Sequence, residues 1–303
     1  MPSAPTRYRG RFAPSPTGDL HLGSLLTATA SYLEARVRHG EWLVRIENID
    51  PPREVPGSAG RMLDTLERFG FQWHGTPLYQ STRTAAYEEA ASRLLDAGHA
   101  YACGCSRSDI ARDAFRHGEE GPIYPGTCRH GLPPGKSARA LRVRVPENGL
   151  LCFEDGLQGH VCQDLARDIG DFVIRRADGP FAYQLAVVVD DAAQGITHVV
   201  RGADLLLSTP RQIWLYRLLG FTPPSFLHVP LIKDADGRKL SKQLKSIPVD
   251  PANPVASLVH ALELLRQSPP ASLMRATLAE VWEWAEQNWS LERLKGVAEI
   301  RLD

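Results

Sequence analysis

The sequence predicts an α/β fold built on a doubly wound parallel sheet. Short apolar runs alternate with segments in which apolar residues recur at helical spacing, as in 22–37 and 82–97. This alternation is typical of parallel strands covered by helices. A strand, a turn rich in proline and glycine, and a helix follow one another over 8–37. The alternation stops near residue 101 and resumes near residue 166, so we expect an insertion between two halves of the sheet.

The first candidate site is the turn between the first strand and the first helix, residues 11–24. Free backbone N–H groups at such a strand–helix corner bind phosphate groups. His21, at the first turn of the helix, could donate to a phosphate oxygen, and Gly23 would let a flat base approach the backbone. Alternatively, the histidine caps the helix and the glycines only turn the chain. Taken alone, the motif favours this second interpretation.

The second candidate site is the segment from Lys239 to Gln243, which follows the apolar run 226–232. Its two lysines, Lys239 and Lys242, lie three residues apart around a serine. A movable loop with two ammonium groups is suited to neutralising a triphosphate during nucleotidyl transfer.

A third candidate is the polar end of the strand predicted within 41–50. Ligands of open α/β sheets bind at the carboxyl ends of the strands. Glu47 could therefore accept hydrogen bonds from an α-amino group, or it could form an ion pair with Arg45 or Arg53. Position alone leaves both interpretations open.

Together, His21-Leu22-Gly23-Ser24 and Lys239-Leu240-Ser241-Lys242-Gln243 resemble the two signatures of class I aminoacyl-tRNA synthetases. The string from Phe12 to Gly18, and Asp190-Asp191 followed by 196–204, resemble the glutamyl branch of that class. The resemblance covers roughly residues 7–245. It implies a class I synthetase fold of Rossmann type and a ligase that uses ATP with Mg²⁺ as substrate.

The resemblance also implies roles for individual residues. His21, Lys239 and Lys242 would be catalytic, and His21, Gly23 and Lys242 would bind ATP. The glutamate site would consist of Arg11, Phe12, Ala13, Pro14, Ser15, Glu47, Tyr183 and Arg201. Arg11 and Arg201 are the candidates for the side-chain carboxylate, because a planar guanidinium can hold it in a bidentate manner. Tyr183 would line the amino-acid pocket, and Glu47 would take the α-amino group.

Four segments are expected on this basis. Residues 1–100 form the first half of the catalytic domain, and 101–165 form the insertion subdomain. Residues 166–245 form the second half with the lysine loop, and 246–303 form a short helical C-terminal region.

Three of the five cysteines, Cys103, Cys105 and Cys128, lie in the insertion. Without an export signal a disulfide framework is not expected, whereas thiolates favour Zn²⁺, which takes four ligands in structural sites. Chemistry leaves the fourth ligand open between His130 and His117. The resemblance to a family with Cys-x-Cys and Tyr-x-x-x-Cys spacing implies Tyr124, with His130 as second choice. The alternative is that these are ordinary reduced thiols; Cys152 and Cys162 are interpreted as packing residues.

The insertion and the C-terminal region narrow the resemblance further. About 60 residues follow Gln243, fewer than an anticodon-reading domain of about 100 residues would need. A glutamyl core of this kind resembles glutamyl-queuosine tRNA(Asp) synthetases. The resemblance implies activation of L-glutamate without tRNA and its transfer to the queuosine base at the wobble position of tRNA(Asp). The departures are Ser24 and Gln243 at the ends of the two signatures.

Two alternatives remain open. One is a truncated glutamyl-tRNA synthetase core that charges the acceptor end of tRNA. The other is a non-catalytic paralogue that binds RNA or a nucleotide; the intact His21, Lys239 and Lys242 argue against it.

Composition bounds the compartment and the partners. Lys plus Arg and Asp plus Glu number 35 each, so contact with RNA has to come from local patches rather than from a general basic field. No apolar run approaches the roughly 20 residues that cross a bilayer, and residues 1–9 lack the apolar core of a signal peptide. We expect a cytoplasmic monomer without a membrane partner.

Overall fold

A computed structural model describes residues 7–118, 121–233 and 249–302. Its strands in chain order are β1 (Arg9–Phe12), β2 (Glu41–Ile46), β3 (Leu78–Tyr79), β4 (Ala100–Cys103), β5 (His117–Gly118), β6 (Gly121–Pro122), β7 (Ala140–Val143), β8 (Leu150–Asp155), β9 (Gly159–Asp164), β10 (Phe172–Arg175), β11 (His198–Gly202), β12 (Ser225–Val229), β13 (Leu231–Lys233) and β14 (Glu299–Arg301).

The α-helices are α1 (Leu22–Val37), α2 (Ser58–Arg68), α3 (Thr84–Asp96), α4 (Arg107–Asp113), α5 (Leu165–Asp168), α6 (Tyr183–Ala193), α7 (Thr209–Leu218), α8 (Pro254–Leu264) and α9 (Leu278–Asn288). Short 3₁₀ helices cover Pro51–Arg53, Gln80–Thr82, Ala203–Ser208, Ala271–Arg275 and Leu291–Leu294.

Two groups of parallel strands form the centre of the molecule. β1, β2 and β3 pair in that order, and β11, β12 and β8 pair in parallel with β9 antiparallel at the edge. The backbone N–H of Thr197, just before β11, donates to the carbonyl of Arg9 in β1 at 2.9 Å. This bond places the two groups side by side, so that the loops after β1, β2 and β11 meet at one edge. The predicted α/β fold with a parallel sheet is confirmed.

The segment between the two halves contributes to both a separate sheet and the central one. β4, β7 and β10 form a small antiparallel sheet. The β8–β9 hairpin instead joins the central sheet, because Asp155 of β8 pairs with Phe226 of β12. Asp155 thereby lies next to the strand that carries His228.

The helix α1 lies at the centre of the larger hydrophobic core. Its leucines and alanines are buried against β1 and β2 on one side and against α8 and α9 on the other. Tyr32 of α1 packs edge-on against Trp42, Phe71 and Trp282. The aromatic cluster fixes the position of α1, and with it the turn that precedes the helix.

The interpretation of Cys152 and Cys162 as packing residues is wrong. The two residues are directly opposite in the β8–β9 ladder and form a disulfide. The Cys162 residue is exposed, because β9 is the edge strand of its sheet. Side chains directly opposite each other on two antiparallel strands lie on the same face of the sheet. In the β8–β9 ladder this brings the two cysteines together.

Within the described ranges, no helix is both long enough and apolar enough to cross a membrane.

Candidate active site

A cleft of about 750 Å³ opens where the chain leaves β1, β2 and β11. It is lined by the turn after β1, by the first residues of α1, by the polar end of β2 and by the start of α6. The sequence-predicted residues that line it are Arg11, Phe12, Ala13, Pro14, Ser15, His21, Gly23, Glu47, Tyr183 and Arg201. Lys239 and Lys242 lie outside the described residues.

His21 caps α1 with one nitrogen of its ring. Nδ1 accepts the backbone N–H of Ser24 at 3.2 Å, and Nε2 lies 3.1 Å from the Ser24 hydroxyl. A neutral imidazole that accepts at Nδ1 carries its proton on Nε2. Capping and donation to a phosphate oxygen therefore use different nitrogens, and the two interpretations of His21 are compatible.

Gly23 makes room for the imidazole of His21. A Cβ on Gly23 would lie 3.2 Å from Cε1 and 3.3 Å from Nδ1 of that ring, tighter than an ordinary van der Waals contact. A side chain here would press on the ring that caps the helix.

Arg11 is held by a carboxylate of the protein. Its Nε donates to Oδ1 of Asp191 at 3.1 Å, and Nη1 of Arg45 lies 2.7 Å from the same oxygen. All three side chains are buried. Burial pushes the pKa of Asp191 up, but the two guanidinium groups outweigh it and hold that pKa below its ordinary value. Arg11 thus shares one carboxylate with Arg45, so part of its charge is matched inside the protein.

The surroundings of Glu47 are compatible with both of its interpretations, the ion pair with Arg45 and the acceptor for an α-amino group. Its carboxylate is 3.3 Å from Nη2 of Arg45, while Arg53 pairs with Asp50. Burial raises the pKa of Glu47 despite the nearby arginines. The side chain lines the cleft and has one long ion pair within the described part of the chain, which leaves acceptor capacity on a carboxylate with two oxygens.

Arg201 differs from Arg11 and Arg45 in its surroundings. It is 4% exposed, yet no carboxylate of the described residues lies within ion-pair distance. Its partners are neutral: Nε donates to Nε2 of His228 at 3.0 Å, and Nη2 donates to the hydroxyl of Thr209 at 2.8 Å.

The remaining nitrogen of Arg201, Nη1, lies 3.4 Å from the hydroxyl of Tyr183 at the cleft. Burial lowers the pKa of Arg201. A buried cation without an anion is costly, so this position is suited to the carboxylate of a ligand.

Sequence reasoning did not assign Asp191, Arg45, Thr209, His228 or Asp155 to the site. The signal for Asp191 was present, since Asp190-Asp191 lies near the end of a largely apolar helix. The structure buries both aspartates, and buried carboxylates need hydrogen-bond partners. For His228 the only signal was one histidine within the apolar run 226–232.

A second candidate site is the cysteine cluster of the predicted insertion. Cys103, Cys105 and Cys128 are buried, and their sulfur atoms lie within 4.8 Å of one another. The hydroxyl of Tyr124 lies 3.5 Å from the sulfur of Cys103 and accepts the backbone N–H of Cys128 at 2.7 Å. His130 and His117 are exposed, and the cluster of described residues does not include them.

The electrostatics of the cluster differ between its thiols. Burial opposes ionisation of Cys103, but hydrogen bonds from Tyr124 and Arg142 outweigh it and lower its pKa. Burial raises the pKa of Cys105 to about 11. Three buried thiols and one buried phenol offer four metal-ligand atoms in one place. A further group consists of Cys152, His160 and Cys162. Its two sulfur atoms are joined in a disulfide and are therefore not available as thiolate ligands.

Comparison with known proteins places this geometry in a family. A family model described as the catalytic domain of class I tRNA synthetases (E and Q) matches residues 7–254. A glutamyl-Q tRNA(Asp) synthetase of Dechloromonas aromatica is 56% identical over 94% of this chain and 95% of its own length. The one from Geobacter sulfurreducens is 55% identical over 92% of this chain and 91% of its own.

Solved structures show the same fold. The glutamate-tRNA synthetase of Elizabethkingia anophelis superposes with a TM-score of 0.79 at 26% identity, covering 98% of this chain and 68% of that one. The glutamate tRNA ligase of Elizabethkingia meningosepticum, solved in complex with its amino acid, gives a TM-score of 0.78 at 26% identity, covering 98% and 67%.

Proposed function

This chain belongs to the class I tRNA synthetases (E and Q) through its catalytic domain, and on that premise we propose that it is a glutamate-activating ligase. It forms glutamyl-adenylate from L-glutamate and ATP without tRNA and transfers the glutamyl group to the queuosine base at the wobble position of tRNA(Asp). Relatives named for that reaction are 51–56% identical over nearly the whole chain, whereas the two Elizabethkingia structures compared above are 26% identical.

The observation that carries the choice of glutamate is the buried guanidinium of Arg201. It lines the cleft, its partners among the described residues are all neutral, and its Nη1 edge is next to Tyr183. Glutamate supplies the missing anion through its side-chain carboxylate. Glutamine would leave the cation buried without one, which costs more than the loss of a methylene group.

In the first step an α-carboxylate oxygen of glutamate attacks the α-phosphorus of ATP. The new P–O bond forms as the bond to the β-phosphate bridge breaks, and pyrophosphate leaves with the electron pair. No protein nucleophile is needed, so the protein positions the reactants and stabilises charge. Nε2–H of His21 donates to a phosphate oxygen, and Lys239 and Lys242 carry the charge of the leaving group. Mg²⁺ enters with ATP, on phosphate oxygens and water.

The amino acid is held from both ends. Arg201 binds the side-chain carboxylate, and Arg11 adds the part of its positive charge that Asp191 does not neutralise. Glu47 accepts hydrogen bonds from the α-amino group. In the second step a hydroxyl of the queuosine cyclopentenediol attacks the glutamyl carbonyl. The ester bond forms as the bond between the glutamyl carbonyl carbon and the phosphate oxygen breaks. AMP leaves with that electron pair, and the hydroxyl proton passes to the departing phosphate or to water.

We also propose that Cys103, Cys105, Cys128 and Tyr124 hold a structural Zn²⁺. The fit rests on the donor set: three buried sulfur atoms within 4.8 Å of one another and a buried phenol beside them. When bound, the ion would cross-link β4 to the loop of Tyr124 and Cys128 and so stabilise the insertion.

ATP–pyrophosphate exchange without tRNA tests the activation step. We expect exchange with glutamate and much less with glutamine, because only glutamate neutralises Arg201. Exchange that needs added tRNA would favour the truncated glutamyl-tRNA synthetase, and no exchange with any amino acid would favour a non-catalytic paralogue.

A further inference from the structure

A buried carboxylate–histidine pair lies behind the proposed glutamate site. Asp155 ends β8, His228 lies in β12, and both side chains are fully buried. Oδ2 of Asp155 is 2.6 Å from Nδ1 of His228. The steps of the proposed reaction use neither residue.

The hydrogen bonds of Asp155 determine which nitrogen of His228 carries the proton. Oδ1 of Asp155 accepts the backbone N–H groups of Leu157, Gln158 and His228 at 3.0, 2.9 and 3.2 Å. Oδ2 faces Nδ1, so the carboxylate acts as an acceptor at both oxygens and Nδ1 carries the proton. The other nitrogen, Nε2, is then an acceptor.

The charge state of the pair agrees with this assignment. Burial raises the pKa of Asp155, but the hydrogen bonds from His228 and the backbone outweigh it, so the pKa lies below its ordinary value. Burial lowers the pKa of His228 to about 4, although Asp155 opposes the shift. At neutral pH the pair is a carboxylate and a neutral imidazole.

Nε2 of His228 faces Arg201. Nε of Arg201 lies 3.0 Å away, and the hydroxyl of Thr209, which accepts from Nη2 of Arg201, lies 3.1 Å from the same nitrogen. The inner edge of the guanidinium is therefore fixed by two neutral acceptors. The outer nitrogen Nη1 is directed towards Tyr183 and the cleft.

We propose that Asp155 and His228 are positioning residues for Arg201 and that they set the preference of the site for a carboxylate. The imidazole holds the guanidinium in place without neutralising it. A carboxylate in direct contact, as Asp191 is with Arg11, would match the charge that the substrate has to match. This inference rests on the proposed activation of glutamate.

The variant Asp155→Asn tests the effect of the His228 tautomer alone, because asparagine has nearly the same shape as aspartate. Its single oxygen is expected to take the three backbone N–H groups, so its NH₂ group faces Nδ1 and moves the imidazole proton to Nε2. Two N–H groups then oppose each other at His228 and Arg201. A wrong tautomer behind an active group impairs a site that keeps its geometry.

The replacement of His228 by two different residues separates positioning from stability. His228→Gln offers its Oε1 to Arg201, whereas His228→Leu offers no acceptor, and both leave Oδ2 of Asp155 without its donor. We expect both to lower Tm. Only His228→Leu and Asp155→Asn should raise the KM for glutamate. The expected increase is about tenfold, the effect of losing one buried hydrogen bond to a charged group. The KM for ATP should stay within about twofold of the wild-type value.

The experiment measures exchange kinetics with glutamate and glutamine for the wild-type chain and these variants. Trp282→Phe is the matched control, since it removes a buried hydrogen bond, from Nε1 to the carbonyl of Phe69 at 2.8 Å, away from the cleft. It should lower Tm and leave the ratio of glutamate to glutamine activation unchanged. An unchanged KM in Asp155→Asn, or equal KM values for His228→Gln and His228→Leu, would overturn the inference.

A second measurement does not depend on the substrate. The ¹⁵N shifts of the His228 ring should show the proton on Nδ1 in the wild type and on Nε2 in Asp155→Asn. A wild-type proton on Nε2 would overturn the inference even if glutamate is activated. A wild type that does not activate glutamate would contradict the proposed function instead, and the ring shifts would then decide whether Asp155 sets the tautomer.

Discussion

Two arginines of the cleft have different electrostatic environments, although the sequence suggested one role for both. Arg11 is paired with Asp191, which also binds Arg45, whereas Arg201 contacts His228, Thr209 and Tyr183. A guanidinium paired inside the protein has less charge to offer to a ligand than one held by neutral groups. Recognition of the substrate carboxylate is therefore assigned mainly to Arg201.

Replacement of Arg201 tests this difference. Arg201→Gln should lower kcat/KM for glutamate by about 10- to 100-fold, the effect of one hydrogen-bonded charge pair, and should reduce the preference over glutamine. Arg201→Lys keeps the charge but loses the planar fork, so its effect should be smaller. Pyrophosphate exchange with both amino acids measures it.

Arg112→Lys is the matched control for that substitution, because Arg112 is an exposed arginine paired with Asp109 and Asp113. It should behave as the wild type, since exposed ion pairs contribute little. A loss of activity in Arg112→Lys equal to that in Arg201→Lys would contradict the assignment.

The buried His228 also predicts how stability depends on pH. Its pKa in the folded chain is about 4, below the ordinary value of 6.5, so the unfolded chain takes up the proton first. The contribution of His228 is fully present above about pH 6.5 and is lost as the pH falls towards 4. Asp155, whose pKa is also lowered, adds a loss in the same direction at still lower pH.

Urea unfolding between pH 4 and 7 measures this contribution. The free energy of unfolding should rise with pH more steeply in the wild type than in His228→Gln, which lacks the imidazole. Equal slopes for the two proteins would show that the pKa of His228 in the folded chain is close to its ordinary value.

At the scale of elements, the sequence predicted the positions of helices and strands well, but it predicted poorly which distant residues contact one another. The helix expected over 22–37 is α1, because its apolar spacing and its histidine cap are local signals. Arg11 and Asp191 are 180 residues apart, and Asp155 and His228 are 73 apart. Only the pairing of β8 with β12 and the packing of α6 bring such residues together, and no local pattern encodes that. The disulfide between Cys152 and Cys162 was missed because its cysteines read as apolar strand residues.

The cysteine cluster leads to a prediction about the insertion. The purified chain should carry about one zinc, and Cys105→Ser should reduce that content and the thermal stability, because it removes one of four ligands. Metal analysis and thermal unfolding, with and without a chelator, measure both.

Two further variants define the ligand set. Cys162→Ser, outside the cluster, and His130→Gln, at an exposed position, should both keep the zinc content of the wild type. Loss of zinc in His130→Gln would replace Tyr124 by His130 as the fourth ligand, and absence of zinc from the wild type would favour plain thiols.

At the scale of the whole molecule, the central sheet brings the motifs of distant segments to one edge. The loops after β1, β2 and β11 and the start of α6 line a single cleft, as expected for ligands of open α/β sheets. The net charge of zero provides no general attraction for RNA, so recognition of RNA has to come from local contacts.

The central claim is that the queuosine base of tRNA(Asp) accepts the glutamyl group. The position of the label on the RNA tests this claim most directly. The chain is incubated with radiolabelled glutamate, ATP and tRNA(Asp) that carries either queuosine or guanosine at the wobble position, with tRNA(Glu) in parallel. Nuclease digestion then separates the anticodon fragment from the 3′-terminal adenosine. We predict label on the anticodon fragment of queuosine-containing tRNA(Asp) alone; label on the 3′-terminal adenosine of tRNA(Glu) would contradict the account.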